Sequence, residues 1–590
     1  MSNQKSISDS KNVHHISTLK VNNTHQITTP YGTGLAASSP FPPGSLITKL
    51  PNPNLLLIEN DSLQTTCSFC ISEQPSLKRC GGCKIPYYCS TACQNSHWRE
   101  SHSRECKVLK GLQGLPPTAV RALIVMLLRK GGEVDAGEGE ERDWKGLESH
   151  VGELKGDMKR WEEIVLQARA GVEFTKAGAG RMEDAMRWLC VLSTNAFRIT
   201  LPDNTPVGLC FSPTLARANH SCTPNAFIVF DSRNVSLRAL RPIKKDEEIF
   251  ISYIDPTESL AKRQSTLKQR YFFTCKCARC EDHVNAYKHF LRCQKDDAIG
   301  NEVEKTTRTD VLYSHQEALK TAEHCLSTLK QNPTLTSTLT SLATSSKPLT
   351  LLQQNHTSSL LTALKSLSAL TTHGVFALLP FPELLHDLYL SYISTQTQSQ
   401  SFTAALLTLL FLFLNCDIFI YPQPHHPVRV VRLYTIAKLL KHIASLTPTE
   451  LLQDISNMRT TTAAPSSSRT SPSQASDLQL KDNIAKAFQG IDLINAFHVL
   501  IIVVWSEARQ SHGEESVFVR EVEAEIRDVE EVQRVRGGMG EVLRRWMVAG
   551  RDGGDVGVGV GERGRKEAER VGREIRGLGG LMGGILGGGG

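Results

Sequence analysis

Hydrophobic and polar positions divide the chain into two parts of different character. From 26 to 66, short apolar stretches alternate with Gly and Pro, which predicts strands joined by turns. Residues 107–185 are mainly helical in pattern, interrupted by the acidic, Gly-rich stretch GGEVDAGEGEE, and 186–255 mix a helix with short strands. The first half of the chain is therefore predicted to be a mixed α+β region.

Helical spacing dominates after residue 286. Three groups of apolar positions recur at this spacing: Leu312, Leu319, Ala322, Leu326 and Leu329; Leu360, Leu364 and Leu367; and Val431, Ala437 and Leu440. A fourth group follows 3-4-3 spacing and covers under two heptads, which predicts a docked helix rather than a coiled coil: Val519, Val522, Ile526 and Val529. Residues 456–477 have the composition of a low-complexity linker. The segment from 549 is dominated by Gly and predicts a disordered tail, since Gly supplies no side chain to a core.

The longest apolar run and the N-terminus predict a soluble intracellular chain. The run from Ala404 to Leu414 is too short to span a bilayer and is followed by Asn415 and Asp417, so it predicts a buried helix. Residues 1–25 are polar, lack the apolar segment of a secretory signal, and predict a disordered N-terminus.

Composition narrows the class of protein. The chain has 590 residues, a length that predicts roughly four domains. Its 40% hydrophobic and 22% charged residues exclude a collagenous or wholly disordered chain. The net charge of +7 is mild for this length and does not by itself indicate nucleic-acid binding.

Sixteen cysteines are the strongest chemical signal, and ten of them fall in two tight clusters. In a chain without a secretory signal, metal ligation is predicted over disulfides, which remain the alternative. The first cluster supplies eight candidate ligands, enough for two tetrahedral sites, and thiolate and imidazole donors favour Zn²⁺. Its segment of about 40 residues is too small for a sufficient core, so metal would supply the folding energy. The spacing is Cys67-x2-Cys70, Cys80-x2-Cys83, Cys89-x3-Cys93 and His102-x3-Cys106.

The second cluster, Cys275-x-Cys277-x2-Cys280, leaves a tetrahedral zinc one ligand short. Cys222 lies in the segment NHSCTPN (219–225) and is the candidate for the fourth ligand, which would tie two remote segments together. Five cysteines match no ligand pattern and are predicted to be small core residues: Cys190, Cys210, Cys293, Cys325 and Cys416.

The first cluster, with Tyr88-Cys89-Ser90, Cys93-Gln94 and Trp98, resembles the MYND zinc finger. That resemblance implies interleaved ligands and a finger that binds peptides or partner proteins, here with a Pro-rich peptide as the expected partner. His97 is then a neighbouring non-ligand, expected to be exposed. One zinc would be held by Cys67, Cys70, Cys89 and Cys93, and the other by Cys80, Cys83, His102 and Cys106.

Three further motifs resemble the SET domain and its post-SET segment. These are NHSCTPN, the run from Glu248 to Tyr253 (EIFISY), and Tyr271-Phe272-Phe273 before the second cysteine cluster. Tyr31-Gly32-Thr33-Gly34-Leu35 followed by Pro43-Gly44 resembles the opening glycine motif, although relatives often carry a basic residue where Tyr31 stands. A finger inserted between these motifs is the arrangement of the SET-and-MYND lysine methyltransferases, over about residues 26–285. More weakly, 426–440 resembles their tetratricopeptide-like helices.

The resemblance implies an α+β multidomain fold: a β-rich SET fold with an inserted MYND zinc finger, a zinc-binding post-SET segment and an α-helical C-terminal domain. The expected parts are a disordered N-terminus (1–25), the SET N-terminal part (26–66), the finger (67–106), a helical SET insertion (107–185), the SET catalytic core (186–255) and post-SET (256–285). The helical domain (286–455), the linker (456–477), C-terminal helices (478–548) and the tail (549–590) follow.

The resemblance also implies a site. Tyr253 would place its hydroxyl where a substrate amine meets the methyl group of S-adenosylmethionine, and three zincs, the third held by Cys222, Cys275, Cys277 and Cys280, would be structural. Taken alone, each site residue has a plainer interpretation as a turn, core or strand residue. The residues implied to contact the cofactor or line its pocket and the lysine channel are Gly32, Gly34, Asn195, Asn219, His220, Tyr271 and Phe273.

The leading functional hypothesis is a lysine methyltransferase acting on a histone or another protein. The alternative is a non-catalytic adaptor in which the finger binds a peptide and the SET fold is a scaffold. A chromatin-binding structural subunit is a weaker third, given the modest charge. The expected partner is a protein that bears a lysine substrate. Membrane binding and direct nucleic-acid binding are not expected. The expected location is the nucleus, the cytoplasm or both.

Overall fold

The computed structural model describes residues 21–30, 32–129, 144, 146–298, 308–333, 335, 337, 356–394, 400–460, 472–548 and 558–586. Its strands are β1 (Val21–Asn22), β2 (Thr24–Thr29), β3 (Gly32–Ala37), β4 (Leu46–Leu50), β5 (Leu55–Ile58), β6 (Lys78–Arg79), β7 (Tyr87–Tyr88), β8 (Phe197–Thr200), β9 (Pro206–Phe211), β10 (Asn219–His220), β11 (Ala226–Asp231), β12 (Asn234–Ala239) and β13 (Phe250–Ile251).

The helices divide into two sets. Those up to the second cysteine cluster are α1 (Thr91–His97), α2 (Ser103–Leu109), α3 (Thr118–Leu127), α4 (Val151–Gly156), α5 (Met158–Thr175), α6 (Met182–Asn195), α7 (Pro213–Ala216), α8 (Leu260–Tyr271) and α9 (Ala278–Glu281). Those after it are α10 (Ala286–Ala298), α11 (His315–Gln331), α12 (His356–Ser366), α13 (Ser368–Thr372), α14 (Phe381–Ile393), α15 (Phe402–Leu412), α16 (Pro427–Ala444), α17 (Pro448–Asn457), α18 (Pro472–Gln489), α19 (Leu493–Ser511), α20 (Val517–Arg536), α21 (Gly540–Val548) and α22 (Val558–Leu586).

Small antiparallel sheets form the β-rich part of the fold. A four-stranded sheet has the order β1-β4-β12-β11, and a three-stranded sheet has the order β5-β9-β8. Strands β2 and β3 pair as a hairpin, with Thr29 opposite Gly32. Aliphatic side chains such as Ile47, Val235 and Leu237 are fully buried and form a core between the sheets. Burial of this apolar surface holds the sheets together.

A short parallel pair, β10 and β13, crosses this core. Asn219 lies opposite Phe250 and His220 opposite Ile251. The fully buried Asn225 fixes the pairing: its Nδ2 donates to the Glu248 carbonyl at 2.8 Å, and its Oδ1 accepts from the Phe250 backbone N–H at 2.7 Å. One side chain thus replaces the hydrogen bonds that a longer strand would make.

The cysteine-rich module is inserted between β5 and α3. It contains the β6–β7 hairpin and helices α1 and α2, which a π-helical stretch joins over Trp98–His102. Ser90 caps α1 by accepting from the backbone N–H of Cys93 at 3.2 Å. Apart from cysteines, few apolar side chains are buried there, among them Tyr88 and Leu109, and they pack with Val120 and Ile124 of α3.

The helical periodicities are confirmed. The groups lie in helices α11, α12, α16 and α20, except that Leu312 precedes α11 and Leu367 follows α12. Val519, Val522, Ile526 and Val529 are all buried, so α20 is docked, as predicted. These helices share one large core with α14, α15 and α19.

The apolar run at 404–414 lies in a helix that is longer than the run itself. Helix α15 continues through a π-helical turn at Phe413–Asp417 into Ile418–Ile420. The 19 residues Phe402–Ile420 are long and apolar enough to cross a membrane, but 83% of the most apolar window is buried inside the protein. Helices α18 and α19 would together match a second span, bent by 76°. The predicted buried helix is confirmed.

Two expectations about the chain termini are wrong where the structure describes them. Residues 21–25 are not disordered, because β1 pairs with β4 and Thr24 begins β2. The expected tail contains the 29-residue helix α22, whose apolar side chains pack against the core. The high glycine content led to the prediction of disorder, but larger apolar residues recur among the glycines at helical spacing. Four of them are at most 1% exposed: Val571, Ile575, Leu578 and Met582. The expected disorder of 1–20, most of the linker (461–471) and the acidic stretch at 131–141 lies outside the described residues.

Glycine allows α22 to approach its neighbours closely. A Cβ built at Gly572 would lie 1.9 Å from the carbonyl oxygen of Val311. At Gly577, on the same helix, a Cβ would meet nothing within 4 Å.

We therefore expect Gly572→Ala to lower the free energy of unfolding by about 1–3 kcal/mol, because the helix must move away from backbone atoms that cannot yield. Gly577→Ala is the matched control and should be neutral or stabilising by up to about 1 kcal/mol, because Ala is the better helix former. Thermal or denaturant unfolding of both variants tests this, and equal stabilities would contradict the docking of α22.

Candidate functional site

Three groups of four metal-ligating side chains form in the fold, and each has its donor atoms within 4.8 Å of one another. They are the groups expected from the sequence: Cys67, Cys70, Cys89 and Cys93; Cys80, Cys83, His102 and Cys106; and Cys222, Cys275, Cys277 and Cys280. All sixteen cysteines are free thiols, and the five outside these groups are buried, as predicted. Sulfur and imidazole donors in fours suit Zn²⁺ in closed, structural sites.

A buried carboxylate lies against the histidine of the second group, which is Cys80, Cys83, His102 and Cys106. Glu105 is buried, and its Oε2 lies 3.4 Å from Nδ1 of His102, while Nε2 of His102 faces Cys80 and Cys83 at 3.4 and 3.5 Å. Such a carboxylate orients a ligand histidine and fixes its tautomer. His97 is half-buried rather than exposed, with its Nδ1 3.0 Å from the Tyr88 hydroxyl.

The third group joins segments far apart in the chain. Cys222 Sγ lies 3.6 Å from Cys280 Sγ, across 58 positions of sequence. Gln264 of α8 holds the loop before α9 through two bonds to the backbone of Cys275, at 2.8 and 3.0 Å. The post-SET segment is thereby anchored against the NHSCTPN segment.

The glycine motif meets the NHSCTPN segment through Asn219. Asn219 Nδ2 donates to Glu248 Oε1 at 2.8 Å, and a Cβ at Gly34 would lie 2.8 Å from the same oxygen. Gly32 has a φ of +111°, which disfavours other residues, and no atom lies within 4 Å of its missing Cβ. The bare backbone at Gly32 therefore faces open space.

His220 connects the third cysteine group to Tyr253. The backbone N–H of Tyr253 donates to His220 Nδ1 at 3.0 Å, so the ring proton is on Nε2, which lies 3.3 Å from Cys222 Sγ. The imidazole therefore spans the distance between a metal-ligating thiol and the proposed catalytic residue.

Aromatic rings surround Tyr253. Its ring centroid lies 5.0 Å from that of Tyr271, 5.3 Å from that of His220 and 6.5 Å from that of Phe273. The Tyr253 hydroxyl donates to the Ala218 carbonyl at 2.8 Å, and the Tyr271 hydroxyl donates to the Tyr253 carbonyl at 3.2 Å. Burial raises the pKa of both phenols, so both stay neutral at physiological pH.

Asn195 ends α6, and its Nδ2 donates to the carbonyls of Glu148 and Val191, at 2.8 and 3.0 Å. Two residues from Glu148, the His150 ring packs on Phe272 with centroids 4.9 Å apart, next to Phe273. Asn195 is therefore linked to the aromatic group through this segment. Tyr31 lies outside the described residues.

Sequence reasoning missed three residues that shape the site. Glu248 and Asn225 were part of quoted motifs but had no assigned role, and Glu105 was not considered. The final Asn of NHSCTPN was an available signal for Asn225. Nothing in the sequence marks Glu105, because its role depends on facing His102.

Comparison with known proteins places these motifs in a family. The model of the SET domain matches residues 32–254. The SET domain and MYND-type zinc finger protein 6 of Schizosaccharomyces pombe is 34% identical over 259 residues, covering 43% of this chain and 51% of that protein. Human histone-lysine N-methyltransferase SMYD3 is 31% identical over 258 residues, covering 42% and 59%. Human N-lysine methyltransferase SMYD2 is 29% identical over 252 residues, covering 42% and 58%.

The similarity spans a little over half the length of these relatives. It includes the SET domain, within which the structure inserts the cysteine-rich module between β5 and α3. The motifs, the three cysteine groups and these relatives agree: residues 32–254 match the SET domain, and over 42–43% of its length the chain is similar to SET- and MYND-domain proteins.

Proposed function

We propose that the chain is a protein-lysine N-methyltransferase that uses S-adenosylmethionine, and that three zinc ions support its fold. The observation that carries the proposal is the convergence of His220, Tyr253, Tyr271 and Phe273 beside the glycine motif. Two relatives, SMYD3 and SMYD2, are named as lysine methyltransferases. Histones and other lysine-bearing proteins are both candidate substrates. We propose that the protein is located in the nucleus, the cytoplasm or both.

The described residues fit this cofactor. Gly32 offers bare backbone to a close ligand, and Asn219 Nδ2 lies 3.3 Å from where a Cβ on the neighbouring Gly34 would stand. His220 follows Asn219 in β10, and Phe273 packs against His220 with centroids 5.9 Å apart. Aromatic faces favour a cationic sulfonium. When bound, the cofactor supplies an electrophilic methyl group on a good leaving group.

The chain's part in the reaction is to bind, desolvate and aim the lysine amine. Aromatic walls at Tyr253, Tyr271 and Phe273 exclude water around the amine, which favours its neutral form. Because burial keeps the Tyr253 phenol neutral, its hydroxyl positions the amine and does not act as a base. The alignment of the amine nitrogen with the methyl group then provides most of the acceleration of methyl transfer.

The adaptor alternative keeps the finger as a peptide-binding module, with a Pro-rich peptide as its expected ligand. It requires no particular group at position 253, whereas the proposed activity does. Transfer from labelled cofactor to histones and to a cell extract separates the two, and an inactive chain on every pool would favour the adaptor.

Purified protein should contain three zinc ions per chain, one for each group of four ligands. Metal analysis after preparation without chelators measures this. A content of two would remove one of the proposed sites.

We expect Cys222→Ser to lose one zinc and to weaken cofactor binding about tenfold or more, because Cys222 contacts His220, which in turn accepts from Tyr253. Cys89→Ser is the matched control: it also removes a ligand thiol, but in the finger, so cofactor affinity should stay near that of the wild type. Titration calorimetry and metal analysis measure both effects. Equal cofactor affinities for the two variants would contradict the link through His220.

Tyr253→Phe should slow methyl transfer about a hundredfold or more, which is roughly 3–4 kcal/mol of barrier. The lost group is one preorganised hydroxyl, whose proton is donated to the Ala218 carbonyl and whose oxygen can accept from the amine N–H. The ring remains, so the fold and most cofactor affinity should be kept. Tyr271→Phe is the comparison and should change the number of methyl groups added more than the rate. Single-turnover transfer with parallel binding assays tests this; a Tyr253→Phe enzyme within a few-fold of wild type would exclude the proposed role.

A further inference from the structure

Two arginines are buried around the third cysteine group. Arg263 of α8 is 4% exposed, and its Nη2 lies 3.9 Å from Cys280 Sγ. Arg279 of α9 is 6% exposed, and its Nη1 donates to the Cys222 carbonyl at 3.4 Å. Both guanidinium groups therefore lie at the edge of the four thiols.

Neither arginine has a carboxylate partner among the residues the structure describes. Two carboxylates near them in sequence bind other cations, Glu258 with Lys262 and Asp282 with Arg292, each at 2.7 Å, and Glu281 is exposed. Besides the Cys280 thiol, Arg263 donates to the backbone carbonyl of Glu258, and the Nε atoms of both arginines lack a hydrogen-bond partner.

Buried arginines elsewhere in the described residues have other partners. Arg233, beside the finger, binds Glu100 at 2.6 Å, and Arg429, in the helical core, lies over the rings of Tyr313 and Phe413, 5.3 and 5.4 Å from their centroids. A buried cation without a partner is strongly destabilising. Two such cations on one site therefore require a source of negative charge that the protein's carboxylates do not supply.

Four thiolates supply that charge. Zn²⁺ with four thiolates carries two negative charges, and in the third group three of the four cysteines are buried. In the all-cysteine group of the finger, three of the four are partly exposed, so water can stabilise its charge. The buried tetrathiolate therefore needs protein cations for its two negative charges, and two are present.

We propose that Arg263 and Arg279 are the charge-compensating residues of the third zinc site, and that they slow loss of its metal by stabilising the thiolates. They are positioning residues: they do not bind the metal but lie against its ligands and offset their negative charge. This inference rests on the proposed zinc site.

The test is zinc release to an excess of a chromogenic chelator, with Cys222→Ser used to identify the phase that belongs to the third site. Arg263→Met and Arg279→Met should each release that zinc about tenfold faster or more. Arg263→Lys and Arg279→Lys keep the charge and should stay within about threefold of the wild type. Lys268→Gln removes an exposed cation from the same helix and is the matched control, with no change expected.

The outcomes separate charge from packing. If Met and Lys variants of the same position release zinc equally fast, the arginines act by shape and the proposal is wrong. If the Met variants release it at the wild-type rate, the arginines have no role. If the wild type lacks the third zinc, the site itself fails, which is a different result.

A compensating pair tests the proposal even where a Met variant folds poorly. Cys277→His lowers the negative charge of the ligand set by one, at the one half-exposed position of the group. Combined with Arg279→Met, it restores the charge balance, so the double variant should retain zinc longer than the two single effects predict. Additive effects on the release rate would overturn charge compensation.

Discussion

The link from Cys222 through His220 to Tyr253 is the constraint on which the site depends. Cys222 holds the post-SET cysteines, His220 Nε2 faces its sulfur at 3.3 Å, and His220 Nδ1 accepts from the Tyr253 backbone at 3.0 Å. Tyr271 ends α8 and Phe273 lies between α8 and the cysteines, so the same link brings both rings against Tyr253. A metal that folds the post-SET segment would therefore also assemble the aromatic walls.

The parallel pair β10–β13 is short, and side chains stabilise it. Only two residues of each strand pair, so the backbone ladder contributes little. The Asn225 side chain bonds to the backbone of Glu248 and Phe250, and the Asn219 side chain bonds to that of Glu248. The last Asn of NHSCTPN thus fixes the strand pair in which the first Asn and the His lie.

The sequence predicted what local spacing determines and missed what depends on contacts across the fold. Spacing marked the ligand pairs, because donors two or three residues apart bind one ion, and the resemblance to the MYND finger assigned those pairs to two sites. The fourth ligand of the third site, Cys222, lies in the NHSCTPN segment. Helix α20 followed from its 3-4-3 spacing. Helix α22 was missed because its glycines suggested disorder, whereas Gly572 is required by the close carbonyl of Val311, which is distant in sequence. Glu105, Arg263 and Arg279 show no pattern, since each is defined by the group it faces.

The helical region is bound to the SET sheets by polar contacts rather than by a shared core. Arg238 of β12 donates to the carbonyl of Gln510 at the end of α19 at 3.0 Å, and Asp231 accepts from the backbone N–H of Val517 at 2.8 Å. His425, before α16, lies 3.1 Å from the Leu240 carbonyl. The buried apolar clusters of the two regions are separate, so the site is supported by its own cysteine group and its own sheets rather than by the helical core.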